Sequence, residues 1–483
     1  MSINESIDEL IKSAEASRVL PSLSRVICGI AQRDITPPIG IQSNPWGKSE
    51  NARSTGIHHP LMANAMLIKG LIKGPIKGPI NGGDELFLVT LDIGWIGCYE
   101  CDVINFRSRV VNELGIEIDD LLVNLSQTHK GPPFCIHEAT REGAEFVPDF
   151  IENVIASVIA ICKEARTKVE EVDITWSYGK CDLANVRDLP VGETDFVGYN
   201  PNLVADDTLT IARVTTLDGK SVATLANYGC HPTTLGWECD LISPDFVGSA
   251  RKIVEEKTGA PFFYLQGACG NLGPREQYVG DPAVADRNGE ILGYATLATL
   301  AKMFPPASEF RLTELVRSGA DLAKWTLASA QPSTTVMHKR ITVRMKHKDL
   351  LSEEQMRANW HDVNPRIVDT RIQKQLGIRL NYVDNGYVNH PVWLWQIGDA
   401  IMIAHCGEAY FEMQQELRRR HPDRVMMFMD MTNGPGYVYI PTRSAYIRNA
   451  YQSWQTILAP GSFEEMVEFL DKAITDFSLS DKR

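Results

Sequence analysis

The stretch TLTIARVTTLDGKSVATLANYGCHPTTLG, residues 208–236, decides the fold class of this chain. Two runs rich in Thr, Val, Ile and Leu flank Asp218-Gly219, a residue pair typical of a hairpin turn. The pattern predicts two β-strands, the second of which ends just before His231, and Pro232 stiffens the loop that follows. Binding clefts form at strand ends in open α/β sheets, so His231 is a candidate site residue. Most single histidines are structural, and position alone leaves its role open.

The rest of the chain alternates between strand and helix patterns. ELFLVTLDIGWIG (residues 85–97) and LLVNL (residues 121–125) indicate strands, and residues 392–410 indicate a hairpin turning at Gly398-Asp399. Apolar residues recur at helical spacing in residues 145–169 and again in residues 462–477. This alternation predicts the α/β class, with a layered mixed β-sheet core and flanking helices.

The sequence suggests one large domain with short extensions. We expect a helical leader over residues 1–22, a catalytic domain over residues 23–460, and a C-terminal amphipathic helix over residues 461–483. The charged stretch at about 310–360 is read as a subdomain or lid, although a solvated surface explains its charges equally well. Residues 43–59 are polar and predict a long loop over a surface or a cleft.

A tandem Ile-Lys-Gly repeat, residues 68–82, is too rich in Gly and Pro to form a helix. We interpret this repeat as an expanded hairpin tip without a catalytic role.

The composition narrows the functional classes. The chain has 483 residues, of which 44% are hydrophobic and 23% charged, as is usual for a globular protein. Its net charge of −13 argues against a nucleic-acid partner. No apolar run approaches the roughly 20 residues that span a bilayer, and the N-terminus lacks the pattern of a secretory signal. The ten cysteines are scattered, which suggests reduced, buried thiols. We therefore expect a cytoplasmic protein without stable membrane association, and leave homo-oligomer formation open.

Four polar motifs follow predicted strands: SQTHKGPP (126–133), GCHPTTLG (229–236), HCGEAYFE (405–412) and NGPGYVYIP (433–441). Their candidate residues are Gln127, His129, His231, His405, Glu408, Tyr437 and Tyr439. Imidazole and carboxylate together are the ligand set of zinc and similar divalent ions, and such an ion activates water for attack on a carbonyl. Each residue also has a structural interpretation: a helix-start carboxylate for Glu408, a core histidine for His405 and a core aromatic for Tyr437. From spacing alone, a metal site and a structural role are equally supported.

The order of these motifs resembles the catalytic domain of the neutral (non-lysosomal) ceramidases and their bacterial relatives. The resemblance spans roughly residues 24–455. It begins with CGIAQRDITPPIG and GIHHPLMANAML, continues through SQTHKGPP, LANVRDLP, NYGCHPTTLG and LISPDFVG, and ends with the Gln-Gly loop, a Gly-Glu helix start and a Gly-Tyr loop. It implies a fold with a layered mixed sheet, amide hydrolysis and a bound zinc ion.

The resemblance also implies a ligand set of two histidines, a glutamate and a tyrosine. His231, Glu408 and Tyr437 match three of these ligands, with Tyr439 as the alternative tyrosine. The position of the remaining histidine is occupied by Gln127. A glutamine amide is a poor zinc ligand beside imidazole. Three outcomes follow as alternatives: a lower zinc affinity, a different divalent metal, or His129 as the substitute ligand.

The same resemblance assigns roles around the reacting amide. His129 matches a substrate-contacting histidine and is our candidate for a fourth metal ligand or a catalytic residue. Arg187 matches an arginine near the reacting amide and is the second candidate catalytic residue. Gln127, His58 and Gly273 are expected on the substrate-binding side.

The family serine that cleaves ceramide falls at Gly273 in CGNLGPRE, and glycine offers no nucleophile. We also expect no C-terminal immunoglobulin-like domain of the kind usual in the family.

Three functions follow from these expectations. The first is a cytoplasmic zinc-dependent hydrolase of a non-peptide C–N bond in a small polar molecule, acting through metal-activated water. The second keeps the metal and cleaves a C–O bond in an ester or a lactone. The third is a degenerate relative that binds a ligand without catalysis, as Gln127 and Gly273 would allow.

Overall fold

The computed structural model describes residues 16–71, 85–96, 100–434 and 439–479, together with residues 11, 12 and 14. It forms four layers, in the order helices, sheet, sheet, helices. The predicted α/β class, with a layered mixed sheet and flanking helices, is confirmed. No helix in the described part of the chain combines the length and apolar character needed to cross a bilayer.

The larger sheet has eight strands, which occur in space in the order β8-β7-β6-β5-β1-β2-β3-β4. In chain order they are β1 (Ser22–Asp34), β2 (Met62–Lys69), β3 (Leu86–Leu91), β4 (Leu121–Leu125), β5 (Glu170–Lys180), β6 (Thr208–Thr216), β7 (Ser221–Tyr228) and β8 (Phe262–Gln266). The outermost pairs, β7 with β8 and β3 with β4, are parallel. The pairs between them are antiparallel. The predicted hairpin is present between β6 and β7, and Gly219 supplies its positive φ of 88°.

The second sheet has four long strands in the order β9-β10-β11-β12. They are β9 (Val336–Lys346), β10 (Tyr387–Ile397), β11 (Ala400–His405) and β12 (Val425–Met429), and the short strand Val383–Asp384 also pairs with β10. The pair β11 and β12 is parallel, and the others are antiparallel. The hairpin at Gly398-Asp399 lies between β10 and β11, as the sequence predicts.

Helices cover the outer faces of both sheets. They are α1 (Glu100–Leu114), α2 (Val147–Thr167), α3 (Phe246–Thr258), α4 (Pro282–Lys302), α5 (Glu353–Asn359), α6 (Pro365–Tyr382), α7 (Glu412–Arg420), α8 (Arg443–Ile447), α9 (Tyr451–Gln455) and α10 (Ser462–Leu479). Single 3-10 turns lie at Ile118–Asp120, Ile136–Glu138 and Ala144–Phe146.

Short strands complete the surface. Arg18–Val19 pairs with Ser308–Arg317, which pairs in turn with Asp321–Ser329. The two-stranded pairs are Asp188–Val191 with Thr194–Val197, Gly56–Ile57 with Leu241–Ile242, Ala184–Val186 with Leu272–Pro274, and Glu408–Ala409 with Tyr439–Ile440.

The core fills the spaces between the four layers. Between the sheets, Trp393 and Trp395 of β10 pack among side chains such as Leu88 of β3. Helices α1 to α4 bury the other face of the eight-stranded sheet, and α6, α7 and α10 bury the outer face of the second sheet. All six residues of β3 are buried, and five of the six are apolar, as is usual for a strand covered on both faces.

Three predicted segments have a different or undescribed arrangement. The stretch at about 310–360 is divided between an exposed hairpin, the core strand β9 and helix α5, because the apolar alternation of β9 packs it against β10. In the leader, Arg18–Val19 is a strand, and residues 1–10, 13 and 15 lie outside the described residues. Most of the Ile-Lys-Gly repeat, residues 72–84, also lies outside them.

Candidate active site

The carboxyl ends of strands from both sheets meet at one end of the molecule. Two buried asparagines hold them together. Asn124 of β4 accepts from the backbone N–H of Gln266 (3.0 Å) and donates to the carbonyl oxygen of Asp430 (2.7 Å). Asn227 of β7 donates to the carbonyl oxygen of Phe428 (2.9 Å). The loops that follow β4, β7, β8 and β11 are therefore brought to one place.

His231 and Glu408 meet at this junction, and both are buried. The Nε2 atom of His231 lies 3.0 Å from Oε2 of Glu408. On the other side of the ring, Nδ1 lies 2.8 Å from the carbonyl oxygen of Cys269 and 3.1 Å from that of Leu272. Carbonyl oxygens only accept, so Nδ1 carries the ring proton and Nε2 presents its lone pair to the carboxylate.

This arrangement fits a bound cation. Burial lowers the pKa of His231, and the positive charge of Arg187 lowers it further, so the ring is neutral near pH 7. A lone pair and a carboxylate oxygen 3.0 Å apart are attractive only when a proton or a metal ion lies between them. A histidine whose second nitrogen donates to a carbonyl is also the usual form of a metal-ligating histidine.

Gln127 lies beside this pair but is held by other groups. Its backbone has a positive φ of 66°, which is uncommon for a residue other than glycine. Its side-chain oxygen accepts from the thiol of Cys269 (3.3 Å) and from Nε2 of Gln266 (3.4 Å). The amide oxygen is thus engaged in the wall of the site.

His129 faces the same space, and its ring centre lies 6.1 Å from that of His231. Its Nδ1 lies 3.0 Å from the carbonyl oxygen of Gln127, so its Nε2 also keeps a lone pair. Desolvation lowers the pKa of His129 to about 3, with further contributions from His231 and Arg187. His129 is therefore neutral near pH 7, and its Nε2 lone pair can bind a metal or accept a hydrogen bond.

Arg187 and Tyr439 close the other side. Arg187 is buried and donates from Nη2 to the carbonyl oxygen of Gly270 (2.9 Å) and to the hydroxyl of Tyr439 (3.4 Å). Tyr439 pairs with Glu408 in a short parallel bridge, which fixes the two residues side by side. Tyr437 lies outside the described residues, so the assignment of Tyr437 rather than Tyr439 as the tyrosine metal ligand stays a prediction.

These groups line one cavity of about 480 Å³. Its wall contains Pro45, Trp46, Gly47, Trp95, Gln127, His129, Arg187, Val197, Thr233, Trp237, Tyr278, Ile367, Thr370, Arg371, Lys374, Glu408, Met431, Tyr439 and Tyr451. The size is typical of a small-molecule site. The polar loop of residues 43–59 reaches over the cavity, where the Trp46 ring lies 5.3 Å from that of His129 and 5.5 Å from that of Tyr278.

Gly273 and His58, both predicted on the substrate side, lie away from this lining. Gly273 pairs with Asn185 in a short antiparallel bridge, and a Cβ at this position would lie 2.9 Å from the side-chain oxygen of Gln277. His58 lies 3.2 Å from Asp286 through Nε2 and 2.9 Å from the hydroxyl of Ser243 through Nδ1. Neither residue is among those that enclose the 480 Å³ cavity.

His58 belongs to a second histidine–carboxylate cluster. His59 Nε2 lies 2.8 Å from the same Asp286 oxygen that His58 approaches. The three residues are close enough to share a metal ion. The shared oxygen already accepts from both rings, so the cluster is satisfied by its own hydrogen bonds.

His405 is the core histidine that its apolar strand suggests. It is fully buried, with Nε2 2.8 Å from Asp430 and Nδ1 3.1 Å from His390.

Other cavity residues were not predicted from the sequence. Arg371 and Lys374 come from α6, and Trp237 and Tyr278 from loops after β7 and β8. The only local signal was the spacing of Arg371 and Lys374, which places them on one side of a helix.

The fold and the strand-end cluster define an α/β protein with a buried histidine–glutamate pair at the base of a cavity. In comparisons with known proteins, no family model matches the chain, and no curated protein matches it by sequence. Solved structures do match. The neutral ceramidase from Pseudomonas aeruginosa has 15% sequence identity and a TM-score of 0.64, over 93% of this chain and 74% of that one. A structure described as ceramidase complexed with C2 gives 15% identity, a TM-score of 0.63 and the same coverage. The chain therefore has a ceramidase-like fold, as the sequence resemblance implies.

Proposed function

We propose that this protein is a metal-dependent hydrolase of an amide-type C–N bond in a small polar molecule, with zinc as the first candidate metal. One observation carries the proposal: the unprotonated Nε2 of a buried histidine lies 3.0 Å from a buried carboxylate, at the base of a cavity. The ceramidase-like fold supports the same reaction type.

His231 and Glu408 would hold the ion, together with Tyr437 or Tyr439 and with His129 as the substitute for the family histidine. When bound, a divalent ion supplies Lewis acidity, which makes water nucleophilic at neutral pH and polarises a carbonyl. Cys269 and Leu272 orient the His231 ring through their carbonyl oxygens.

The remaining side chains would handle the substrate. Arg187 has a buried Nε without a protein acceptor among the described residues, so it can donate to an oxyanion. His129 keeps a single lone pair, on Nε2, which serves either as the metal ligand or, where another ligand completes the site, as an acceptor for an N–H group of the substrate. The aromatic side chains over the cavity exclude bulk water, which strengthens each of these interactions.

A cytoplasmic protein without nucleic-acid partners remains part of the proposal. Seven described cysteines, Cys28, Cys162, Cys181, Cys230, Cys239, Cys269 and Cys406, are free and buried, and Cys135 is buried as well. Reduced thiols of this kind are usual in the cytoplasm.

The test compares small amides with matched esters, using chelator-treated protein before and after zinc is restored. We expect amide hydrolysis that requires the metal and falls at least about 100-fold in Glu408→Gln, the scale of losing a transition-state interaction. Asp286→Asn is the matched control, because it also replaces a carboxylate beside histidine. Faster ester hydrolysis would favour C–O chemistry, and zinc binding without turnover of either class would favour the non-catalytic alternative.

A further inference from the structure

The charge of the cavity wall is opposite to that of the whole protein. Arg187, Arg371 and Lys374 line the cavity, and Glu408 is the only acidic residue among the described lining residues. The chain as a whole carries a net charge of −13. A metal ion at Glu408 would neutralise that carboxylate as well. The cavity is thus suited to an anion. The three cationic side chains differ in how many of their charge and hydrogen-bond partners the protein itself supplies.

Lys374 already has an acidic neighbour. Its Nζ lies 3.5 Å from the carboxylate of Glu138 and 3.8 Å from the centre of the Trp95 ring. Arg187 donates to Gly270 and Tyr439, as described above.

Arg371 is different. No carboxylate of the described residues forms an ion pair with it, and its buried Nε and Nη1 atoms lack hydrogen-bond acceptors there. Its guanidinium instead lies against aromatic rings, 5.0 Å from Trp454, 5.8 Å from Trp360 and 6.0 Å from Tyr451. Aromatic rings stabilise the charge of a guanidinium through its flat faces, but they offer no acceptor to its N–H groups. Buried donors without acceptors are rare in native proteins and suggest a ligand.

We propose that the substrate carries a carboxylate, and that Arg371 binds it. The proposal rests on the proposed function and specifies its substrate class: an amide that bears a carboxylate near the scissile bond, as in an N-acyl amino acid. A guanidinium that lines the cavity and has no carboxylate partner among the described residues matches a planar carboxylate better than it matches a neutral amide or a hydroxyl.

Arg371 and the reacting end line the same cavity. Tyr439 is paired with Glu408, its ring lies 5.8 Å from that of Tyr451, and the Arg371 guanidinium lies 6.0 Å from the centre of the Tyr451 ring. The indole and phenol rings of Trp46, Trp237 and Tyr278 form an apolar wall over the same space, suited to the acyl part.

The experiment measures equilibrium binding by calorimetry to the full-length protein. The probes are N-acetyl, N-benzoyl and N-octanoyl derivatives of glycine and phenylalanine, each as the free acid and as its primary carboxamide. We expect at least one acid to bind about tenfold or more tightly than its carboxamide, as a charge-assisted hydrogen bond predicts. Arg371→Gln should abolish this difference. Arg379→Gln is the matched control, since Arg379 lies on the same helix outside the cavity wall.

Equal affinity of acids and carboxamides, a difference that survives in Arg371→Gln, or no binding by any acid would overturn the proposal. Tighter binding of matched phosphonates than of carboxylates would also overturn the carboxylate assignment. The binding test is independent of turnover. Selective binding without hydrolysis would count against the proposed function alone, whereas hydrolysis of acids and carboxamides at equal rates would count against the carboxylate alone.

Discussion

His231 and Glu408 place a ring nitrogen lone pair 3.0 Å from a carboxylate oxygen, and both side chains are buried. Two such atoms repel each other unless a cation or a proton lies between them. The backbone carbonyls of Cys269 and Leu272 fix the tautomer that creates this situation. Metal affinity at this site therefore depends on how many further ligands approach the pair.

Replacing Gln127 tests how many ligands approach the metal ion. The engaged amide of Gln127 contributes less to a zinc ion than an imidazole would, so Gln127→His should tighten zinc binding roughly tenfold or more, the scale on which metal-site substitutions act. Competition with a chelating dye would measure the change. An unchanged affinity would mean that this loop does not approach the ion.

His129 should make stability depend on pH. In the unfolded chain a histidine takes up a proton near pH 6.5, whereas the pKa of His129 in the folded protein is lowered to about 3. Between these values the unfolded state binds more protons, so the stability of the folded state falls as pH decreases from 6.5 towards 3 and is constant above 6.5. Each such proton contributes about 1.4 kcal/mol per pH unit.

Urea unfolding at several pH values, with chelator present, would measure this slope. His129→Gln should reduce the slope by about one proton, although His405, whose pKa is also lowered to about 3, keeps its own contribution. An identical slope in the variant would contradict the expected desolvation of His129.

The sequence identified the site residues that lie directly after strands. Gln127, His129, His231 and Glu408 could be predicted because a strand pattern followed by a polar motif is a local signal. Arg371 gave no such signal, since a charged residue on an amphipathic helix is normally at the surface. Only packing of α6 against the loop that carries Trp46 places it at a cavity.

At the scale of the elements, buried side chains add to the backbone hydrogen bonds that join the two sheets at the site, such as that from the N–H of Asp430 to the carbonyl oxygen of Gln266. Asn124 bonds both Gln266 of β8 and Asp430 beyond β12, so it links a strand of one sheet to the end of a strand in the other. Every one of these groups is buried. The loops that carry the site depend on this link for their relative position.

Asn124→Ala should lower the free energy of unfolding by about 3 kcal/mol, because it leaves buried donors and acceptors without partners. Denaturant unfolding would measure the loss, with Asn202→Ala as the control at an exposed asparagine. A loss below about 1 kcal/mol would show that water or relaxation replaces these bonds.

The hairpins and the long helices could be predicted from sequence, because Asp218-Gly219, Gly398-Asp399 and helical periodicity are local features. The pairing of strands that are distant in the chain could not be predicted from the sequence. β3 and most of β10 are buried on both faces, so their sequences do not show which layer covers which side.

At the scale of the whole molecule, the fold resembles that of neutral ceramidases, and Gly273 stands where the sequence resemblance places the family serine. A serine side chain there would meet the side-chain oxygen of Gln277, and Gly273 itself offers no nucleophile. The cavity of about 480 Å³ is of a size for small molecules, and its cationic wall does not match a neutral lipid.

The protein should therefore not hydrolyse ceramide at a meaningful rate, and Gly273→Ser alone should not create that activity. Release of sphingosine from detergent-solubilised ceramide would measure both. Robust cleavage by the unmodified protein, abolished by a chelator, would show that activated water can act on ceramide without the serine.

The most direct measurement is anomalous diffraction at the zinc absorption edge from crystals of the protein grown with zinc. The account predicts one strong peak within bonding distance of His231 Nε2 and the Glu408 carboxylate, and its loss in Glu408→Gln. A peak at His58, His59 and Asp286 instead, or none beside His231, would contradict the account.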